Sequence, residues 1–233
     1  MIKEELISRS PVRVFEKSIH GGLKAGELGV IAAPKGTGKT SVLVQIALDK
    51  LLQDKKVIHI SFSQHTDYVL TWYADIFNEF IKKKNLEKVQ EVKAELTKNR
   101  VLMNFNQDGV TSDMILRSLR AMICDGGFKA DALIIDGFNF SAAQRERVLA
   151  LKDFAKELGL EVWYSCNTGG EQEGAYNKQK IPLILEHVSD LFDVIIVLEP
   201  KANYTELSVS KDRDSAITGI SSLKLDPKSL LMQ

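Results

Sequence analysis

The chain has 233 residues, enough for one α/β domain with a sizeable core, and its 31 basic and 31 acidic side chains give a formal net charge of zero. This balance argues against a polybasic tail for nucleic acid or for a membrane surface, and no apolar run reaches the roughly 18 residues of a membrane span. The N-terminal stretch MIKEELISRS lacks the apolar core of a secretory signal, so we expect a cytoplasmic protein with no membrane partner. Cys124 and Cys166 have no metal-type spacing with the histidines and are predicted to be reduced core residues.

Apolar, β-branched segments alternate with helical patterns along the chain. The predicted strands are 28–33, 56–62, 101–105, 131–136, 160–166 and 193–199, and helical patterns lie between the first five at 39–52, 66–83, 112–124 and 143–157. Such alternation predicts a mainly parallel sheet with helices on both faces. Residues 204–211 and 220–225 predict an antiparallel hairpin at 204–226, within a single domain that covers 1–233.

Two helical patterns allow a second interpretation. Residues 82–100 are rich in charge and predict a surface helix, with a partner-docking helix as the alternative. Its apolar stripe comprises Leu86, Val89, Val92 and Leu96. Residues 66–83 are rich in aromatic side chains and predict a core-facing helix, with stacking on single-stranded bases as the alternative. Its apolar positions are Tyr68, Val69, Trp72, Ile76, Phe77 and Phe80.

A phosphate-binding loop is predicted where the first strand ends. The segment PKGTGKTS at 34–41 follows a strand and opens a helix, which is the context that the phosphate-loop motif requires. The glycines let backbone N–H groups converge on an anion, and the helix N-terminus adds partial positive charge. Lys39 would reach the outer phosphates, Thr40 would offer its hydroxyl to Mg²⁺, and Ser41 could contact an inner phosphate. The predicted cofactor-binding residues are Pro34, Lys35, Gly36, Thr37, Gly38, Lys39, Thr40 and Ser41.

The second half of such a site is an acid at the end of an apolar strand. The segment ALIIDGFNF at 132–140 supplies Asp136, whose carboxylate could hold a magnesium-bound water beside Thr40. An aspartate at a strand end is a weak signal alone, and it becomes informative because it follows a phosphate loop. We therefore predict ATP and Mg²⁺ as cofactors, with Thr40 and Asp136 at the metal. The alternative is a glycine-rich turn that holds no ligand.

With both halves placed, residues 10–226 resemble the RecA-type ATPase superfamily, in particular the branch of the KaiC clock ATPases and the DnaB replicative helicases. The segment HGGLKAGELGVIAAPKGTGKTS at 20–41 carries most of this resemblance. Ala33 stands where the usual motif has its first glycine, which is similar to the helicase version. The resemblance implies a RecA-like three-layer αβα fold of the P-loop NTPases, with a mainly parallel central sheet and an antiparallel hairpin at the end. It also implies a homo-oligomer, for which a hexameric ring is one form.

The same resemblance implies roles for three further side chains. The segment SVSKDRDSAITG at 208–219 is similar to the family's K-x-R segment, so Lys211 and Arg213 would reach the γ-phosphate bound by a neighbouring subunit. The segment WYSCNT at 163–168 resembles the sensor strand, which the family places between the two Walker strands, so Asn167 would face the γ-phosphate. The alternatives are a charged hairpin edge that discourages aggregation and a strand-end asparagine in a turn.

One position departs from the family pattern. The family's catalytic glutamate ends the strand after the first helix, and here VIHISFSQH at 57–65 places Ser63 at that position and Gln64 after it. A positioned base contributes about 10²–10⁴-fold to the rate, and serine does not accept a proton usefully at neutral pH, so we expect slow or absent hydrolysis. Gln64 could instead orient water, as glutamine does in some GTPases, and His65 could serve as a base.

The sequence therefore predicts a Mg·ATP-binding protein that acts as a nucleotide-dependent switch or assembly and has weak or absent hydrolysis. The candidate catalytic residues are Gln64, Lys211, Arg213 and Asn167. One alternative is an ATP-driven helicase- or recombinase-class motor on DNA, and another is a scaffold that has lost the nucleotide. The loops that would face DNA, 137–143 and 168–180, have no excess of basic residues, so we do not expect nucleic acid as a partner.

Overall fold

The computed structural model describes residues 2–8, 10–62, 65–82, 89–106, 109–141, 145–169, 176–215 and 223–233. Its strands are β1 (Leu28–Ala33), β2 (Val57–Ser61), β3 (Arg100–Asn104), β4 (Ala132–Asp136), β5 (Glu161–Asn167), β6 (Val194–Pro200), β7 (Thr205–Asp212) and β8 (Leu223–Leu225). They form one sheet in the order β3–β2–β4–β5–β1–β6–β7–β8. Pairs among β1 to β6 are parallel, whereas β7 and β8 add in antiparallel fashion beside β6. This confirms an α/β fold with a mainly parallel sheet and a final antiparallel hairpin.

The described helices lie between and before these strands. They are α1 (Ile2–Ser8), α2 (Pro11–Ser18), α3 (Lys39–Leu52), α4 (Thr66–Lys82), α5 (Val89–Lys98), α6 (Ser112–Arg120) and α7 (Arg145–Leu158). A π-helical turn at Ala121–Asp125 extends α6, and a 3₁₀ helix at Leu183–Leu191 precedes β6. The predicted helices 39–52, 66–83, 112–124 and 143–157 match α3, α4, α6 and α7. No sequence pattern predicted α1, α2 or the 3₁₀ helix.

Two hydrophobic cores lie on opposite faces of the sheet. One contains buried side chains of α2, α3, α4 and α5, and the other contains those of α6, α7 and the 3₁₀ helix. Strands β1, β2 and β4 are buried at every position, which is typical of parallel strands covered on both sides. The arrangement is compatible with a three-layer α/β fold.

The helix α4 buries most of its apolar stripe, as predicted for a core-facing helix. Val69, Ile76 and Phe77 are almost inaccessible to solvent. Tyr68 is 68% exposed, so the prediction is wrong for this side chain. In the charged region, α5 buries Val92 and Leu96. Of the other two predicted stripe positions, Leu86 lies outside the described residues, and so does the side chain of Val89.

The two cysteines differ in environment. Cys166 in β5 is buried and free, as predicted. Cys124 is also free but exposed, so its predicted place in the core is wrong. It lies in the π-helical turn, where the neighbouring Ile123 takes the buried position instead. None of the helices in the described ranges combines the length and apolar character that a membrane span requires.

A buried histidine lies beneath the carboxyl edge of the sheet. His59 in β2 is fully buried, and its Nδ1 atom is 3.1 Å from the hydroxyl of Tyr73. Its Nε2 atom has no hydrogen-bond partner among the residues that the structure describes. Burial lowers the pKa of His59 to about 4; the positive charge of Arg100 acts in the same direction, and Asp136 opposes it. The side chain is therefore neutral in the folded protein at pH 7.

We predict that His59 makes the fold sensitive to acid. In the unfolded chain a histidine binds its proton near pH 6.5, and in the fold only near pH 4, so stability falls as pH drops through this window. Between pH 7 and pH 5 the loss attributable to His59 should be roughly 1–2 kcal/mol. Urea unfolding at both pH values would measure it in the wild type and in His59→Gln.

The matched control is His65→Gln, because the side chain of His65 is 72% exposed. The His59→Gln protein should lose stability at pH 7 but show a smaller further loss at pH 5, whereas His65→Gln should follow the wild type. An unchanged difference between the two pH values in His59→Gln would contradict the assignment.

Candidate functional site

The predicted phosphate loop connects the carboxyl end of β1 to the first turn of α3. Gly36 and Gly38 have φ angles of 82° and 106°, a region that residues with a Cβ atom rarely occupy. At Gly38 a Cβ atom would also lie 2.3 Å from a methyl group of Leu225. Gly36 and Lys35 are both exposed, and a Cβ atom at Gly36 would meet nothing within 4 Å. Glycine is therefore required at Gly38 both by conformation and by contact.

Lys39 folds back over this loop. Its ammonium group donates to the carbonyl oxygens of Ala33 and Pro34 at 2.8 and 2.7 Å, and the Thr37 hydroxyl also donates to Pro34 at 3.0 Å. Burial lowers the pKa of Lys39 from its ordinary value, while nearby Cys166 and Asp136 raise it. Its described hydrogen bonds go to neutral carbonyl groups, so an anion at the loop would offer a stronger partner for the ammonium group.

Thr40 and Asp136 meet at the carboxyl edge of the sheet. The Thr40 hydroxyl donates to Oδ2 of Asp136 at 2.8 Å, and Asp136 is only 3% exposed. The other carboxylate oxygen, Oδ1, accepts a hydrogen bond from Ser165 at 2.6 Å. Ser165 in turn accepts from the backbone N–H of Gly137 at 2.8 Å. The two residues predicted for the metal are thus brought into contact, and a third residue fixes the orientation of the carboxylate.

Ser165 was not among the predicted site residues. It lies in β5, which runs between β1 and β4, and this central position is the one that the resemblance implied for the sensor strand. With that strand order, the sequence places Ser165 beside Asp136. A small hydroxyl residue near the end of β5 faces the acid at the end of β4 because the two strands are neighbours.

Asn167 lies at the same edge as the phosphate loop. It is the register partner of Ala33, and the N–H of the following Thr168 donates to the Ala33 carbonyl at 3.1 Å. The Asn167 side chain is exposed, and its oxygen accepts a hydrogen bond from the Gly169 N–H at 3.3 Å. The structure therefore places this amide beside the loop, in a turn of its own.

Ser41 differs from the other loop residues because it is completely buried. Its hydroxyl donates to the carbonyl oxygen of Leu230, far along the chain. This contact between the phosphate-loop helix and the segment after β8 was not predicted.

Lys211 and Arg213 lie at the other end of the sheet. Lys211 pairs with Ile195 at the start of β6, and its ammonium group donates to the Ser189 carbonyl at 2.9 Å. Burial lowers the pKa of Lys211, and Lys152 acts in the same direction, although Asp193 opposes both. Within one subunit these cations cannot reach the phosphate loop, because the length of β1 separates them from it.

Arg213 is bound within its own chain. It donates to both carboxylate oxygens of Glu27, at 2.9 and 2.5 Å, and to the carbonyl oxygens of Ile19 and Gly22 at 3.3 and 2.7 Å. Hydrogen bonding to Glu27 raises the pKa of Arg213. Its role toward a neighbouring subunit stays a prediction.

Gln64, a predicted catalytic residue, and Ser63, which replaces the family's glutamate, lie outside the described residues. His65 is described and is exposed, with its Nδ1 atom 3.5 Å from a carboxylate oxygen of Asp67. The identity of the group that would activate water therefore stays a prediction from the sequence.

The residues at the loop fit a magnesium ion that shares its ligands with a nucleotide. Mg²⁺ usually keeps several waters and takes one or two protein oxygens together with phosphate oxygens. Thr40 and Asp136 supply one hydroxyl and one carboxylate in direct contact. Among the described residues no group of three His, Cys, Asp or Glu side chains could hold a metal without such help. Thr40 and Asp136 would therefore be the protein ligands of such an ion.

Comparisons with known proteins gave no relatives: no protein-family model matches the chain, and a search of curated proteins found no significant match.

We predict that Ser165 positions Asp136. The variant Ser165→Ala removes a donor to Asp136 and leaves the Gly137 N–H without this acceptor, so it should lower the free energy of unfolding by roughly 1–3 kcal/mol in urea. The control is Ser118→Ala, in which an exposed hydroxyl that donates to the Met114 carbonyl is lost. A loss as small as that of the control would contradict the positioning role.

Proposed function

We propose that this protein binds Mg·ATP at the loop 34–41 and works as a nucleotide-dependent switch or assembly of the RecA-like type. The observation that carries the proposal is the hydrogen bond from Thr40 to Asp136 at 2.8 Å. A threonine that opens a glycine-loop helix and a buried aspartate from a separate strand have little reason to meet for packing alone. Together they are the pair that P-loop proteins use to hold a magnesium ion.

The loop itself supports phosphate as the ligand. Its two glycines adopt positive φ angles, and α3 begins at the loop without a side-chain cap, so its positive end points toward the loop. Lys39 rests on carbonyl groups that it could exchange for phosphate oxygens with little loss. Mg²⁺ would add charge neutralisation at the outer phosphates, held from the protein side by Thr40 and Asp136.

Slow hydrolysis is part of the proposal. Asp136, whose carboxylate is oriented by Thr40 and Ser165, is assigned to the magnesium ion, so we do not propose it as the general base. Ser63 stands where the resembling family has its catalytic glutamate. A bound nucleotide would then persist, and partner proteins could recognise the nucleotide-bound state, which is how a switch works.

Assembly is supported by the position of the two cations. Because Lys211 and Arg213 lie at the amino ends of β1 and β6, only a second copy of the chain could bring them to a phosphate loop. A ring of copies, such as a hexamer, is the assembly that the family resemblance implies. No contact in the described residues favours the DNA motor over this interpretation.

We predict that Lys39→Ala weakens Mg·ATP binding by about tenfold or more, because it removes the ammonium group that folds over the loop. Isothermal titration of ATP in the presence of Mg²⁺ would measure the affinity. Lys129→Ala is the control, since it removes an equal charge from an exposed position elsewhere. Equal affinity in the wild type and in Lys39→Ala would reject the assignment of the site.

A second prediction concerns hydrolysis. The variant Ser63→Glu should raise the rate of phosphate release from Mg·ATP by about 10²-fold, which is the lower range for a positioned base. The measurement needs Lys39→Ala combined with Ser63→Glu as a blank, and Ser63→Gln as the isosteric variant without a base. A rate in Ser63→Glu no higher than in Ser63→Gln, at saturating nucleotide, would show that the missing glutamate does not limit turnover.

A further inference from the structure

Residues 226–233 form a turn that returns along β8 and lies on α3; we call this segment the strap. Lys224 and Gln233 exchange two backbone hydrogen bonds of 3.2 and 2.7 Å. The carboxylate of Asp226 closes the turn by accepting from the Lys228 N–H and the Ser229 hydroxyl at 2.9 and 2.8 Å. Two apolar side chains near the end of the strap, Leu231 and Met232, are 5% and 2% exposed. The strap is therefore a packed part of the fold.

Two side chains of the phosphate-loop helix bind the backbone of the strap. Gln45 is fully buried; its amide group donates to the Leu230 carbonyl at 2.9 Å and accepts from the Met232 N–H at 2.8 Å. Ser41 donates its hydroxyl to the same Leu230 carbonyl. Because one glutamine satisfies both a backbone donor and a backbone acceptor, it fixes the position of the strap on α3.

The docked strap is also strained, and the strand β8 that leads into it touches the loop. Leu230 has a φ angle of 56°, a conformation that costs free energy for any residue with a Cβ atom. Its contacts with Ser41 and Gln45 hold it there. At the base of the strap, a methyl group of Leu225 fills the space in which Gly38 would carry a Cβ atom. Because Leu225 directly precedes the strap, movement of the strap would change the packing of Leu225 against the phosphate loop.

We propose that the strap and the nucleotide compete for the Ser41 hydroxyl, so that the docked strap weakens nucleotide binding and a bound nucleotide loosens the strap. This inference rests on the proposed nucleotide site. A hydroxyl has one proton to donate, and here the Leu230 carbonyl receives it. An inner phosphate at Ser41 would take that proton and would place its own negative oxygen near the carbonyl oxygen. Coupling of this kind is reciprocal, so each partner weakens the other by the same factor.

A tryptophan provides a natural reporter of the strap. The turn of the strap faces α4 across a groove of about 520 Å³, which Trp72 lines together with Lys228, Ser229 and Leu230. The second tryptophan of the chain, Trp163, is 2% exposed and packs against Phe15 in the core. A fluorescence change on release of the strap should therefore come from Trp72, and Trp72→Phe supplies the blank.

The first measurement is the affinity for Mg·ATP when the strap is loosened. The variant Gln45→Met removes both hydrogen bonds of this side chain with the strap, and Asp226→Ala weakens the turn while the side chains of α3 stay unchanged. Each should bind Mg·ATP about 3- to 10-fold more tightly than the wild type, the equivalent of roughly one hydrogen bond. Asp190→Ala is the control, since it removes an exposed carboxylate that binds Arg145 on the opposite face of the sheet.

The second measurement is amide hydrogen exchange of residues 226–233, with Trp72 fluorescence, before and after Mg·ATP is added to the wild type. Nucleotide should speed the exchange and change the emission, and Trp72→Phe should show no emission change. Tight binding with equal affinities in all the proteins, or slower exchange with nucleotide, would overturn the competition and leave the nucleotide site standing. No binding by the wild type or by either loosened variant would reject the nucleotide site itself, and this inference with it.

Discussion

The hydrogen bond from Thr40 to Asp136 joins the first turn of α3, which follows β1, to the end of β4, a strand that is not next to β1 in the sheet. β5 lies between them, so the bond requires β1, β5 and β4 to end at one level. The register achieves this, because Ala33 pairs with Asn167 and β5 in turn pairs with β4 up to Ile135. Ser165 fills the space between the two strand ends and holds the far side of the carboxylate. The candidate site thus depends on three strands keeping one register.

The helix that carries the loop is also held at its distant end. Near the end of α3, the buried carboxylate of Asp49 pairs with Arg13 of α2. The next residue, Lys50, forms ion pairs with Glu16 of α2 at 3.2 Å and with Glu161 of β5 at 2.6 Å. Breaking a buried pair by removing one partner is far more costly than losing a surface pair. These contacts hold the C-terminal end of α3, so its first turn is positioned by the ion pairs at this end as well as by packing on the sheet.

The sequence predicted best what local chemistry decides. The apolar runs gave β1 at 28–33, and the 3.6-residue period together with the loop gave α3 at 39–52, both with the bounds observed. Prediction from the sequence failed where contacts between distant parts of the chain determine the structure. Helix α2 is short and polar on one side, and it is stabilised by Arg13 against a helix distant in sequence. The contact between Ser41 and Leu230 joins residues 189 positions apart, and no sequence pattern in either segment predicts it.

The position of Arg213 limits how the two cations of β7 could act. Its guanidinium group holds the loop that precedes β1, through Glu27 and the Gly22 carbonyl, and its own φ angle of 54° belongs to the turn that follows β7. To reach a phosphate on a second copy of the chain, Arg213 would have to exchange a bidentate carboxylate for that phosphate. Since both are charge-assisted contacts of similar strength, the exchange is feasible only if the loop 20–27 finds new partners at the same interface. Lys211 has less to give up, because its described hydrogen bond is to one carbonyl oxygen. A trans role for this pair therefore requires the segment around Gly22 to be part of the subunit interface.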